Sequence, residues 1–187
     1  MRRSIVFIVV VFLCLLSTRA EAQKFSLATN LVDYACLGTL NVEGAYSVSR
    51  HVSLTVGVRY NPFTFRQNNP QKQIQLRQRS VSLGARIWPW HTWSGWWMAG
   101  KARLQEYNFG GLISSQTQEG DRYGAGLYAG YTHMLGSHFN IEFGLGVWGG
   151  IDVFKRYSCQ VCGVTLESGR KIFVLPDDIM ISLVYVF

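Results

Sequence analysis

Charge is scarce in this sequence. Only 16% of its 187 residues are Asp, Glu, Lys or Arg, against about a quarter in ordinary soluble domains. Disorder is excluded by the same composition, because 48% of the residues are apolar and 14% aromatic. Four cysteines are too few for a disulfide scaffold, and the chain is long enough to bury the core of one domain without one. No Gly-x-Ser-x-Gly elbow, phosphate-binding loop or paired-carboxylate spacing occurs, so the common sequence marks of hydrolases and nucleotide enzymes are missing. Nor is there an apolar run long enough for a membrane-spanning helix, which needs about 20 residues. The longest, Ile5 to Leu16, has twelve.

That run has another meaning. Arg2 and Arg3 precede it, and Ala20-Glu21-Ala22 follows it. A basic start, a short apolar stretch and an A-x-A site make a secretory signal peptide of residues 1–22, cleaved before Gln23, that takes Cys14 with it. Loss of Arg2, Arg3, Arg19 and Glu21 lowers the net charge from +7 to +5. An exported chain is not expected to meet nucleic acid, and its positive charge suits anionic lipid head groups. One domain, residues 23–187, remains.

Throughout that domain the dominant signal has period two, which marks strands with two unlike faces. Val52, Leu54, Val56, Val58 and Tyr60 alternate with Ser53, Thr55, Gly57, Arg59 and Asn61. The same alternation runs through Thr39–Tyr46, Ser80–Ile87 and Phe139–Asp152, and more weakly through Lys24–Tyr34, Trp96–Tyr107 and Arg122–Leu135. With the final strand, Asp178–Phe187, the pattern predicts about eight strands and no helix. After a tight first turn at Cys36-Leu37-Gly38, connections alternate in length. Short turns fall at Ser49–His51, Pro89–Ser94 and Gly136–His138; longer polar loops fall at Pro62–Lys72, Asn108–Asp121 and Phe154–Lys171. Short turns at one end and long loops at the other are the layout of an outer-membrane barrel.

Alternation alone does not say which face meets lipid. The polar phase is rich in Gly and Ser, small residues that suit the narrow interior of an eight-stranded barrel better than a water-facing sheet. Aromatics gather near strand ends, at Tyr46, Tyr60, Trp88, Trp90, Trp93, Trp96, Trp97, Tyr123, Tyr131 and Tyr185, where amphipathic rings favour a membrane interface. Trp88 to Trp97 would form one girdle beside a periplasmic turn. The last strand ends on Tyr185 and Phe187, an aromatic terminus that resembles the signal read by the outer-membrane insertion machinery. These features favour an all-β, eight-stranded antiparallel up-and-down transmembrane barrel over a soluble β fold.

Such a barrel would hold Glu43, Arg59, Arg86, Lys101, Arg103, Arg122, Glu142 and Asp152 inside. Charges there are costly unless paired. Glu43 and Glu142 are therefore expected to bond with some of Arg59, Arg86, Lys101 and Arg103 and to plug the interior. Arg77 and Arg79 fall on the lipid-facing phase, where they would sit above the hydrocarbon and meet lipid phosphates. His51, His91, His133 and His138 all lie in or near the short turns, the wrong end for chemistry on outer-leaflet lipid. No catalytic residue, cofactor or metal is assigned. Cys159 and Cys162 could close a disulfide, bind metal or act as a redox pair. A structural zinc site needs four ligands and there is no second pair, and a redox pair belongs on a helix N-terminus. A disulfide in an exported loop is the plain reading. Cys36 is then left over, free to pair with either cysteine or with another chain.

The C-terminal stretch Tyr157–Phe187 carries Tyr157, Cys159, Cys162, Gly163, Leu166, Ser168, Gly169 and Lys171. This pattern resembles that of a family of small envelope proteins, the domain of unknown function 3575, found in Gram-negative anaerobes of gut and mouth. Tyr60-Asn61-Pro62-Phe63 and Arg86-Ile87-Trp88-Pro89-Trp90 are similar to its central region. The chain departs at Ile172–Pro176, where members commonly carry Asn-Tyr-Phe-Gly-Pro. The resemblance implies an outer-membrane barrel, encoded in some cases near fimbrial assembly genes, and implies no catalytic residues. The expected function is that of a structural or accessory outer-membrane protein whose outer loops contact an envelope or fimbrial partner. A narrow pore, a lipid-modifying enzyme and a secreted soluble binding protein are the alternatives.

Overall fold

The computed structural model describes residues 23–65, 73–111, 116–159 and 163–187. Residues 1–22, read above as a signal peptide, parts of the expected loops Pro62–Lys72 and Asn108–Asp121, and Cys162 lie outside them. The elements are β1 (Phe25–Asn30), α1 (Leu31–Ala35), β2 (Leu40–Ser49), β3 (Val52–Asn61), β4 (Thr64–Phe65), β5 (Ile74–Ile87), β6 (Gly95–Gly110), β7 (Thr117–Met134), β8 (Phe139–Tyr157) and β9 (Thr165–Val186). Each long strand pairs antiparallel with its neighbour, and β1 pairs with β9, giving a ring of eight strands to which two-residue β4 is appended.

The ring is staggered. A row of paired residues starting at Ala28 passes through Glu43, Gly57, Ser82, Arg103, Gly124 and Gly150 to Phe173, yet Ala28 itself pairs with Val184. Such an offset tilts the strands and narrows the interior until side chains fill it. At one end lie the three short turns and both ends of the described chain: Gln23 Nε2 donates to Ser137 O at 2.5 Å, and Val186 N to His138 O at 2.8 Å. The other end carries the long hairpins.

Three features differ from the sequence reading. Residues 31–35 form a helix rather than the end of a strand. Asn30 caps it, its Oδ1 accepting from Val32 N at 3.2 Å, an N-cap role that asparagine fills well. Second, most of the expected loops Asn108–Asp121 and Phe154–Lys171 are strand. Both faces are polar there, so the hydrophobic alternation fades while backbone pairing continues. Third, β9 contains a bulge: Val147 pairs with Pro176 and Leu145 with Ile179. An extra residue exchanges the two faces of a strand. Ile179, Ile181 and Leu183 point outward below it, and Ile172 and Val174 above it, while Phe173 turns inward. Proline, with no N–H to donate, is tolerated at such a break.

Candidate functional site

Polar and charged side chains fill the interior in tiers. In the first, Arg86 on β5 bridges Glu142 on β8 (Nη1 to Oε2, 2.8 Å) and Glu43 on β2, while Lys101 on β6 also pairs with Glu43. Thr132 completes the set by donating to Glu142 Oε1 at 3.0 Å. In the second tier Arg103 Nη1 meets Asp177 Oδ1 at 2.6 Å, and Tyr128 donates its hydroxyl to Asp177 Oδ2 at 2.7 Å. Arg59 lies between two acids, 2.8 Å from Asp33 and 3.8 Å from Asp177. In the third, Asp152 accepts from Tyr107 at 2.7 Å and is flanked by Arg122 at 3.3 Å and Lys171 at 3.7 Å.

Glu43 and Glu142 are thus brought together with Arg86 and Lys101, whereas Arg59 and Arg103 are held by Asp33 and Asp177. Sequence reasoning missed both acids. Asp33 lies in the expected strand Lys24–Tyr34 and reaches inward because α1 breaks that strand; Asp177 lies between the expected loop ending at Lys171 and the expected strand starting at Asp178, and reaches inward because of the bulge. Cations also stack on rings, Arg86 over Trp97 at 4.5 Å, Lys101 over Tyr128 at 5.1 Å, Arg103 over Trp148 at 5.0 Å and Arg122 over Tyr107 at 4.0 Å. Each such contact lowers the cost of a desolvated cation. Between the first two tiers is a cavity of about 40 Å³ touched by Glu43, Arg59, Arg86, Lys101 and Arg103. That is room for ordered water, not for a solute.

The tryptophan girdle needs correction. Trp90 and Trp96 face outward, 61% and 59% exposed, but Trp88 and Trp97 are sealed inside and Trp93 is buried. Trp88, one residue past the end of β5, and Trp97 on β6 continue the inward phase of Arg86 and Lys101. Trp88 Nε1 donates to Ser53 Oγ and Trp93 Nε1 to Gln23 O, both at 3.0 Å. The three rings close the short-turn end. Gly130 gives them space, since a Cβ there would lie 2.5 Å from Trp97 Cζ2.

The outward face is apolar up to a sharp limit. One paired row runs Val81, Leu104, Tyr123, Ile151, Ile172; the next outward row beyond it runs Arg79, Glu106, Asp121, Val153, Arg170. Arg77 and Arg79 both point outward, and Arg79 grips Glu106 through Nε at 2.6 Å and Nη2 at 2.7 Å. Farther out, Tyr157 donates to Glu119 Oε1 at 2.6 Å, and this bond to a carboxylate raises its phenol above the usual range.

His51 and His91 stack 6.2 Å apart at the short-turn end, and His138 stacks on Tyr185 at 5.8 Å. Among the described residues no group of three or more His, Cys, Asp or Glu is placed to hold a metal ion. Tyr185 and Phe187 pack at the ring's closure, and Phe187 exchanges backbone hydrogen bonds with Phe25 at 2.9 and 3.1 Å. Cys159 is disulfide-bonded. Cys36 is exposed and free, so the Cys36–Cys159 bridge weighed from sequence is not formed.

No curated protein and no solved structure matches the chain. One family pattern does, over residues 7–187. The match runs through both the tiered interior and the Tyr157–Lys171 motif, and on it the chain belongs to the family described as protein of unknown function (DUF3575).

Proposed function

We propose that this chain is a closed β-barrel of the outer membrane, a structural or accessory protein whose outer hairpins contact an envelope or fimbrial partner. One observation carries the reading: below the Arg79 row the apolar phase faces outward while the tiered ion pairs of Glu43, Glu142 and Asp177 face inward, the reverse of a soluble sheet. On β6 the outward residues Trp96, Met98, Gly100, Ala102 and Leu104 span nine positions, within the roughly 9–11 a tilted strand needs to cross a bilayer. At the short-turn edge of that belt aromatics pair across strands, Trp96 with Tyr131 at 5.3 Å, Phe139 with Tyr185 at 5.0 Å and Phe25 with Tyr46 at 4.8 Å. Apolar surface this continuous is rare on monomers in water. The leader read in residues 1–22 supplies the export route, and the aromatic end at Tyr185 and Phe187 supplies the insertion signal.

The charged tiers and the tryptophan cap favour a plug over a pore, and no residue is assigned a catalytic role. The partner surface is the outer hairpins, with the disulfide-bonded Cys159 near the tip of the last. The decisive experiment is heat modifiability. Membrane-fraction protein in mild detergent should migrate differently boiled and unboiled. Soluble periplasmic protein with no shift would overturn the reading in favour of a secreted binding protein. Deletion of the gene should alter surface fibres or envelope assembly; unchanged fibres would remove the fimbrial assignment, which rests on family analogy.

A further inference from the structure

A groove of about 930 Å³ crosses the outer face from Tyr60 on β3 to Arg170 on β9. It lies just beyond the last apolar row. We propose that it binds the phosphorylated saccharide headgroup of an outer-leaflet glycolipid, an assignment that rests on the membrane reading above. Its charges are unevenly satisfied. Arg79 is neutralised by Glu106, but among the described residues Arg77, Lys155 and Arg170 form no ion pair.

Lys155 pairs with Ser168, and Arg170 with Val153, so the two cations are diagonal neighbours on adjacent strands. Diagonal Cβ atoms lie about 7–8 Å apart, near enough for both side chains to grip one phosphate. Arg77 stands three strands from Lys155, roughly 14 Å away at the usual strand spacing, and offers a second anion site. Between them Asn108 and Glu119 are bonded to each other at 3.2 Å, and on the adjoining row the exposed carboxylate of Asp121 is free to accept from hydroxyls. Two anion sites separated by a hydroxyl-binding group describe a phosphorylated sugar. Acyl chains on that sugar would fall against Leu104, Tyr123 and Ile151, which free phosphate cannot use.

The test uses the full mature chain in a neutral sugar detergent, following the temperature at which the folded gel band is lost. Bisphosphorylated lipid A should raise it on the order of 5 °C. The triple variant Arg77→Gln, Lys155→Gln, Arg170→Gln should show the same folded band and no rise. An equal rise in the variant, or a full rise with dephosphorylated lipid A or inorganic phosphate, would overturn the headgroup site. So would a wild-type band that lipid A leaves unmoved. Absence of any folded band from the wild type would instead remove the membrane reading, and this site with it.

Discussion

At the scale of single residues, the most consequential side chain is Asp177. It holds Arg103 at 2.6 Å and the Tyr128 hydroxyl at 2.7 Å while facing Arg59. Removing one partner of a buried pair strands the other, at a cost of about 3–5 kcal/mol. Asp177→Ala should lower the urea unfolding free energy of the detergent-folded protein by that order; a change near zero would show the tier to be hydrated. Glu142→Leu should cost a similar amount because Arg86 loses its deepest partner. The double change Arg86→Met with Glu142→Leu should cost less than Glu142→Leu alone, leaving Lys101 to neutralise Glu43. Equal costs in the double and the single would mean that burial of charge is not what stabilises this tier. None of this hierarchy could be read from composition. Period two assigns Glu43, Arg86, Lys101 and Glu142 to one face, but says nothing of which cation meets which acid.

At the scale of elements, legibility followed the contrast between faces. β3, β5 and β8 alternate apolar with polar residues and were visible. Beyond Tyr107 on β6, before Arg122 on β7 and past Asp152 on β8 polar residues enter both phases, so the outer ends of β6 to β8 and the first half of β9 left no periodic trace and resembled loops. Two local breaks were hidden for a different reason. The Asn30 cap and the bulge after Pro176 each act through one or two residues, too few to register in a period. Both turn an acid inward. The tryptophans were misplaced because a girdle ring and a plug ring differ only in strand phase. At the outer hairpins, alkylation without reduction should modify Cys36 and spare Cys159, and reduction should then expose Cys159. Labelling of Cys159 before reduction would contradict its bonded state.

Taken whole, the molecule combines an apolar exterior with an ion-paired core, and the proposed orientation makes two further predictions. A membrane-impermeant maleimide should label Cys36 on intact cells, because the first turn lies at the hairpin end; labelling only after lysis would invert the topology. Planar bilayers containing the protein should show no large steady conductance, and Trp97→Ala should not create one, since the tiers of Glu43 and Asp177 remain closed. The ring's closure is lopsided. β1 meets β9 only from Ser26–Val186 to Asn30–Ser182, whereas β8 and β9 pair from Phe139–Tyr185 to Tyr157–Thr165. Hairpins between neighbours form from local chain, but this junction must bring together segments at opposite ends of the domain, the slowest kind of encounter. Closure of β1 on β9 is therefore the step expected last in assembly, and amide exchange should begin at that short junction.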